Sequence, residues 1–130
     1  MARVAERMAL AAHALEKLHA LTALESLSEV ERDAMIQRFE FCFELLWKCA
    51  KDYLWEVEGI AANTPKKVIR HCGESGLLDE TQVRTALVMA DARNLTAHTY
   101  DEELAQEMAE RIRGYERLLR QWHEAMKFHP

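Results

Sequence analysis

The sequence predicts an all-α fold, an antiparallel up-and-down four-helix bundle with one extra short helix. Hydrophobic residues make up 49% of the 130 residues, and only four glycines and two prolines interrupt the chain. This composition favours long segments over many short strands joined by turns. Apolar residues also recur at three- and four-residue steps, the period of one helix face. The length fits a single domain over residues 1–130.

Apolar periodicity and a capping pattern predict the first two helices. Residues 2 to 25 form an amphipathic helix whose apolar face contains Val4, Met8, Ala11, Leu15, Leu18, and Leu21 or Thr22. Ser28 and Glu31 have the spacing of a capping box, so a second helix begins there and runs to about Val57. Its core face consists of Ile36, Phe39, Phe43, Leu46, Ala50, Leu54 and Val57.

A short third helix is predicted after a turn. Gly59 suits the left-handed residue that follows a helix end. Thr64 is a favourable N-cap and Pro65 is favoured at the first helical position. These residues predict a short helix over about 65–72 that stops at Gly73.

The last two helices are again predicted from capping pairs. Asp79 and Gln82 begin a fourth helix, which ends near Asn94. Thr99 and Glu102 have the same spacing and predict the start of the last long helix. The core face of that helix contains Leu104, Met108, Ile112, Tyr115, Leu118, Trp122 and Met126.

The second helix carries a further apolar face. Phe41, Leu45 and Trp55 lie on a different side from its core face, and one bundle cannot bury both sides. Exposed apolar patches of this kind usually mark an interface. The pattern therefore predicts a homodimer.

Charge and composition exclude several classes of protein. The formal net charge of −5 argues against a protein that coats nucleic acid through its overall field, so any RNA contact should be local. Glu6, Arg7 and Glu16 interrupt the first segment, which excludes a signal peptide or a membrane span there. The protein is expected to be cytoplasmic, without membrane association.

Neither a metal site nor a cofactor is predicted. Cys42, Cys49 and Cys72 lack metal-ligand spacing and should be reduced, buried thiols. The histidines form no i,i+4 pair with one another, so a zinc site is not expected. The chain also lacks the glycine-serine and paired-aspartate motif of nucleotidyltransferases, and it should not transfer nucleotides itself.

The chemistry is concentrated in the stretch Arg93-Asn94-Leu95-Thr96-Ala97-His98-Thr99-Tyr100, between the last two long helices. A guanidinium can hold a phosphate through two donors, and histidine transfers protons near neutral pH. A phosphodiester site is one interpretation. In the other, Arg93 complements a helix C-terminus, His98 precedes a cap and Tyr100 packs in the core.

A family resemblance favours the phosphodiester site. Arg93, His98 and Tyr100 match the R-x4-H-x-Y motif of HEPN domains. The segments Gln37-Arg38-Phe39-Glu40-Phe41-Cys42-Phe43-Glu44-Leu45-Leu46-Trp47-Lys48, Lys51-Asp52-Tyr53-Leu54, Thr64-Pro65-Lys66-Lys67-Val68-Ile69-Arg70 and Gly76-Leu77-Leu78 resemble the nucleotidyltransferase substrate-binding proteins of that family.

The resemblance implies a helical homodimer, encoded beside a separate minimal nucleotidyltransferase, in which the two motifs face one another across a cleft. It implies a metal-independent endoribonuclease that acts as the toxin of a toxin–antitoxin pair. Arg93 would hold the scissile phosphate, His98 would transfer the proton of the ribose 2′-hydroxyl, and Asn94 would position the motif. The alternative is a non-catalytic subunit that presents a nucleotide or RNA substrate to the nucleotidyltransferase. Tyr100 would either receive a nucleotide from the partner or pack locally.

Two clusters of polar residues on other helices are further candidates for the site. Glu40, Glu44 and Lys51 lie within about 40° on the second helix, next to Trp47, and either line the cleft or form a solvated flank with a Glu44–Lys48 pair. Lys66, Lys67 and Arg70 crowd the short helix. A basic turn of this kind is usually a solvated face, which is the interpretation favoured here.

Overall fold

The structure, a computed structural model, describes residues 2–127. Over these residues every regular element is helical, which confirms the all-α class. The long helices are α1 (Ala2–Thr22), α2 (Glu29–Tyr53), α4 (Glu80–Asn94) and α5 (Glu102–Lys127), and the short helix is α3 (Pro65–Glu74). A π-helical turn, Leu54–Glu58, extends α2, and a 3-10 turn, Thr96–His98, follows α4.

The core lies between three mutually packed helices, α1, α2 and α5. Helices α3 and α4 pack on each other, α3 also contacts α2, and α4 contacts both α2 and α5. The predicted core faces are buried or nearly so, with Phe39, Leu46, Ile112 and Trp122 almost fully inaccessible. Burial of large apolar side chains is the main stabilising term of such a fold.

Both predicted capping boxes at α2 and α4 are confirmed. Ser28 Oγ accepts from the Glu31 amide at 3.1 Å, and Glu31 accepts in return from the Ser28 amide. Asp79 and Gln82 make the same two bonds at 2.8 Å each. Gly59 is left-handed as expected, with φ 70°.

Two predicted helix ends are wrong. Helix α1 stops at Thr22 rather than continuing to residue 25, because Arg113 of α5 donates to the Thr22 carbonyl and Glu116 accepts from its hydroxyl. Helix α3 continues through Gly73, which packs so closely on Val83 of α4 that a Cβ there would lie 2.7 Å from Val83 Cγ2. Gly73 is a packing residue, not a stop.

The predicted Thr99–Glu102 capping box is also wrong. Asp101 caps α5, with its Oδ1 accepting from the Leu104 amide at 3.2 Å. The Thr99 hydroxyl instead donates to the carbonyl of Thr96, because the 3-10 turn places it there. Tyr100 therefore precedes α5 instead of lying in its first turn, and it is 85% exposed, which excludes the core position considered for it.

All three cysteines are free and buried, as expected. No helix among residues 2–127 combines the length and apolar character needed to cross a membrane.

Candidate functional site

Arg93 lies on the last turn of α4 and faces α2. Its Nε atom is 3.5 Å from Oε1 of Glu44, and the two side chains are 30% and 36% exposed. The same Nε is shielded from solvent yet makes no hydrogen bond to any described residue. The guanidinium thus keeps unused donor capacity beside a carboxylate that an incoming anion could replace.

Glu44 connects several of the side chains singled out in the sequence. Its Oε2 accepts from the Trp47 indole N–H at 3.3 Å and lies 3.7 Å from Lys48 Nζ. The Glu44–Lys48 pair of a solvated flank is therefore present, but the same carboxylate also contacts Arg93. The fold brings Glu44 to the motif, and Trp47 is hydrogen-bonded to that carboxylate.

A pocket opens where α2, α4 and the start of α3 meet. It is lined by Glu44, Lys66, Arg93 and Asn94, together with Phe43, Thr64, Pro65 and Ala90. Lys66 Nζ is held 2.6 Å from Oδ1 of Asp91. Lys66, which the sequence interpretation assigned to a solvated basic turn, lines this pocket directly after the Thr64-Pro65 helix start.

His98 and Tyr100 lie on the turn that follows Arg93. Thr96 is buried and its hydroxyl donates to the Arg93 carbonyl at 2.8 Å, which ties the turn to the end of α4. The rings of His98 and Tyr100 meet edge to face, with centroids 6.1 Å apart. Both side chains are exposed and outside the residues that line the Arg93 pocket.

Glu40, Trp47 and Lys51, the other three residues predicted to line a cleft, are not part of this pocket. Glu40 is partly buried and forms no hydrogen bond or ion pair within residues 2–127. Lys51 lines a second pocket beside Trp55. In the described part of the chain no three metal-binding side chains cluster closely enough to hold an ion.

The chain that adopts this helical fold falls into a defined class of protein. The chain belongs to the family described as nucleotidyltransferase substrate binding protein like, whose model matches residues 5–128. This confirms the HEPN-type resemblance.

Two particular proteins show the relationship in detail. A "Probable ribonuclease HepT" from Haemophilus influenzae is 36% identical over 74 residues, which cover 54% of this chain and 49% of that protein. The match thus spans about half of this curated relative. A crystal structure of a protein from Thermus thermophilus superposes with a TM-score of 0.88 and 47% identity, covering 90% of this chain and 98% of that one.

Proposed function

We propose that the chain is a HEPN-type subunit that pairs with a minimal nucleotidyltransferase, encoded by a neighbouring gene, and that cleaves RNA without a metal ion. The observation that carries the proposal is the Arg93 guanidinium, with a shielded donor that lacks a hydrogen bond, in a pocket that also holds Lys66. The name of the Haemophilus influenzae relative supports the same activity.

The proposed reaction is an internal transesterification. Arg93 binds the non-bridging oxygens of the scissile phosphate and stabilises the charge that grows on them. His98 takes the proton of the ribose 2′-hydroxyl as its oxygen bonds to phosphorus, and the bond from phosphorus to the 5′-oxygen breaks. The products are a 2′,3′-cyclic phosphate and a 5′-hydroxyl. The proton of that 5′-hydroxyl comes from the imidazolium of a protonated His98. Asn94 keeps Arg93 and the turn in register.

A homodimer completes this site in the proposal. His98 lies outside the Arg93 pocket of its own chain, so the two groups meet a common phosphate most readily across a cleft between two copies. Phe41, 57% exposed, supplies apolar surface on α2 for contacts beyond the bundle. The up-and-down order of the bundle helices, like the dimer, stays a prediction.

The second candidate is a non-catalytic substrate-binding subunit of a two-component nucleotidyltransferase. It is favoured by the same separation of His98 from the pocket, since Arg93 and Lys66 alone suffice to bind a nucleotide phosphate. In either role the exposed Tyr100 hydroxyl is a suitable acceptor for a nucleotide from the partner enzyme.

An RNA cleavage assay in excess chelator separates the two. Wild type should cut single-stranded RNA, whereas Arg93→Ala and His98→Ala should lose at least a hundredfold in rate, roughly the usual contribution of a proton-transfer or charge-stabilising group. His13→Ala, which removes an exposed histidine from α1, is the matched control and should be as active as wild type. Cleavage only with added divalent metal, or equal cleavage by His98→Ala, would contradict the ribonuclease. Binding without cleavage would support the second candidate.

A further inference from the structure

A second pocket lies at the far end of α2, away from the motif. Its walls are Arg3 of α1, Lys51 and Asp52 of α2, Trp55 of the π-helical turn, and residues 60–63. The Trp55 indole is 62% exposed although it is the largest side chain of the pocket. A large aromatic ring left in solvent beside two cations has the composition of a ligand site rather than of a core.

The π-helical turn builds this pocket. Gly59, with φ 70°, reverses the chain after the turn, and the Ile60 amide donates to the Leu54 carbonyl at 2.9 Å. Leu54 is fully buried, so the reversal is anchored to the core. The segment 60–63 is thereby held in the same pocket wall as Trp55.

The charge of the pocket is positive although the protein is acidic. The Asp52 carboxylate is paired with Arg7, Nε to Oδ2 at 2.7 Å. Arg3 and Lys51, in contrast, have no ion-pair partner among residues 2–127. Two cations therefore remain available to bind an anion. A local basic site of this kind is what an RNA contact would need in a chain whose net charge is −5.

We propose that this pocket binds one nucleotide of single-stranded RNA. The Trp55 indole stacks on the base, Lys51 and Arg3 hold the adjacent phosphate, and the Asn63 amide can donate to or accept from a base edge. Unpaired bases stack on aromatic rings with little regard to sequence, and cations along the backbone supply the rest of the affinity. The ligand class rests on the proposed function.

The position of the pocket fits an RNA strand that also reaches Arg93. Asn63 directly precedes Thr64, which lines the Arg93 pocket, so the two pockets share the α2–α3 connection. Along α2, Lys51 lies seven residues beyond Glu44, about 10 Å at the rise of an α-helix. A strand held at Arg93 can therefore place a nearby base on Trp55.

Binding of an uncleavable 2′-O-methyl hexanucleotide tests the proposal directly. Quenching of tryptophan fluorescence on titration should be strong in wild type and mostly lost in Trp55→Phe. Trp55→Ala should weaken binding about tenfold or more, and Lys51→Ala should weaken it and reduce its salt dependence by about one counterion. Lys17→Ala, the same charge change on an exposed part of α1, is the control and should bind like wild type.

The outcomes also separate this proposal from the ribonuclease. Wild type that binds through Trp55 but does not cleave RNA would support the pocket and contradict the enzyme. Active enzyme whose hexanucleotide affinity and KM are unchanged by Trp55→Ala would overturn the pocket, as would wild type that does not bind. Light scattering adds a last check: if Trp55→Ala dissociates a dimer that wild type forms, Trp55 belongs to a protein interface and the inference is wrong.

Discussion

Arg93 and Glu44 face each other between α4 and α2, with 3.5 Å between Nε and Oε1. The pair holds the guanidinium over the pocket, but it also places a negative charge where a phosphate would bind. Because both groups are about one-third exposed, the pair itself adds little stability.

We expect Glu44→Gln to strengthen RNA binding. The amide keeps an acceptor for the Trp47 indole but no longer competes with phosphate for Arg93, so affinity should rise by up to about fivefold, the equivalent of a partly exposed ion pair. The dissociation constant of an uncleavable RNA at low salt measures this. Glu80→Gln, which removes the exposed partner of Arg84, should have no effect. Weaker binding by Glu44→Gln would mean that the carboxylate positions Arg93.

Tyr100 should accept a nucleoside monophosphate from the cognate nucleotidyltransferase. Because Tyr100 is 85% exposed, its hydroxyl oxygen can attack the α-phosphate of ATP, and pyrophosphate leaves. The adduct places an anion on the same turn as His98 and repels RNA. Intact-mass analysis after incubation with the partner, ATP and magnesium should show a nucleotide-sized increase for wild type and none for Tyr100→Phe. Equal modification of both proteins would contradict it.

The two glycines inside helices α3 and α5 should respond oppositely to alanine. Gly73→Ala should destabilise the protein by about 1–3 kcal/mol, because the new Cβ meets Val83 Cγ2 at 2.7 Å. Gly114→Ala should stabilise it by about 0.5–1 kcal/mol, because alanine favours the helix more than glycine does and no atom lies within 4 Å of the added Cβ. Urea unfolding measures both. In the double variant Gly73→Ala/Val83→Ala, the loss of stability should be smaller than the sum of the losses in the two single variants. A loss equal to that sum would rule out the contact between the new Cβ and Val83.

The Arg32–Glu102 pair should make the stability of the folded protein depend on pH in the acidic range. Arg32 is nearly buried, donates to Glu102 at 2.8 Å and lowers the pKa of that carboxyl. A lowered pKa contributes stability above the ordinary value of 4.5 that is lost as pH falls through the lower, folded value. Arg32→Met should reduce the melting temperature by a few degrees at pH 7 and by less in acid. Arg84→Met, whose pair is exposed, should change neither.

The three thiols should be inert in the folded protein. Burial raises the pKa of Cys42 and Cys49 to about 12 and that of Cys72 to about 11, so little thiolate forms at pH 8. Native protein should resist iodoacetamide, and protein in guanidinium should take up three adducts, as mass spectrometry can show. Rapid labelling of any one thiol in native protein would indicate local opening.

Local chemistry allowed much of the fold to be predicted. The capping boxes at Ser28 and Asp79 join residues three apart, so their outcome depends on a few neighbouring dihedrals. The core faces follow from helical periodicity for the same reason. Predictions failed where a distant contact or a competing local bond prevailed, as at Gly73, which packs on Val83, and at Thr99, which the 3-10 turn diverts.

The helices, the buried thiols and the string from Arg93 to Tyr100 can all be read from the amino-acid order, because each depends on residues close together in the chain. The side chains that surround that string cannot, since they come from other helices. Glu44 of α2 contacts Arg93, Lys66 of α3 lines the same pocket, and Trp55 and Arg3 line a second pocket. Such meetings depend on how whole helices pack and where a π-helical turn redirects the chain, and no local spacing encodes that geometry.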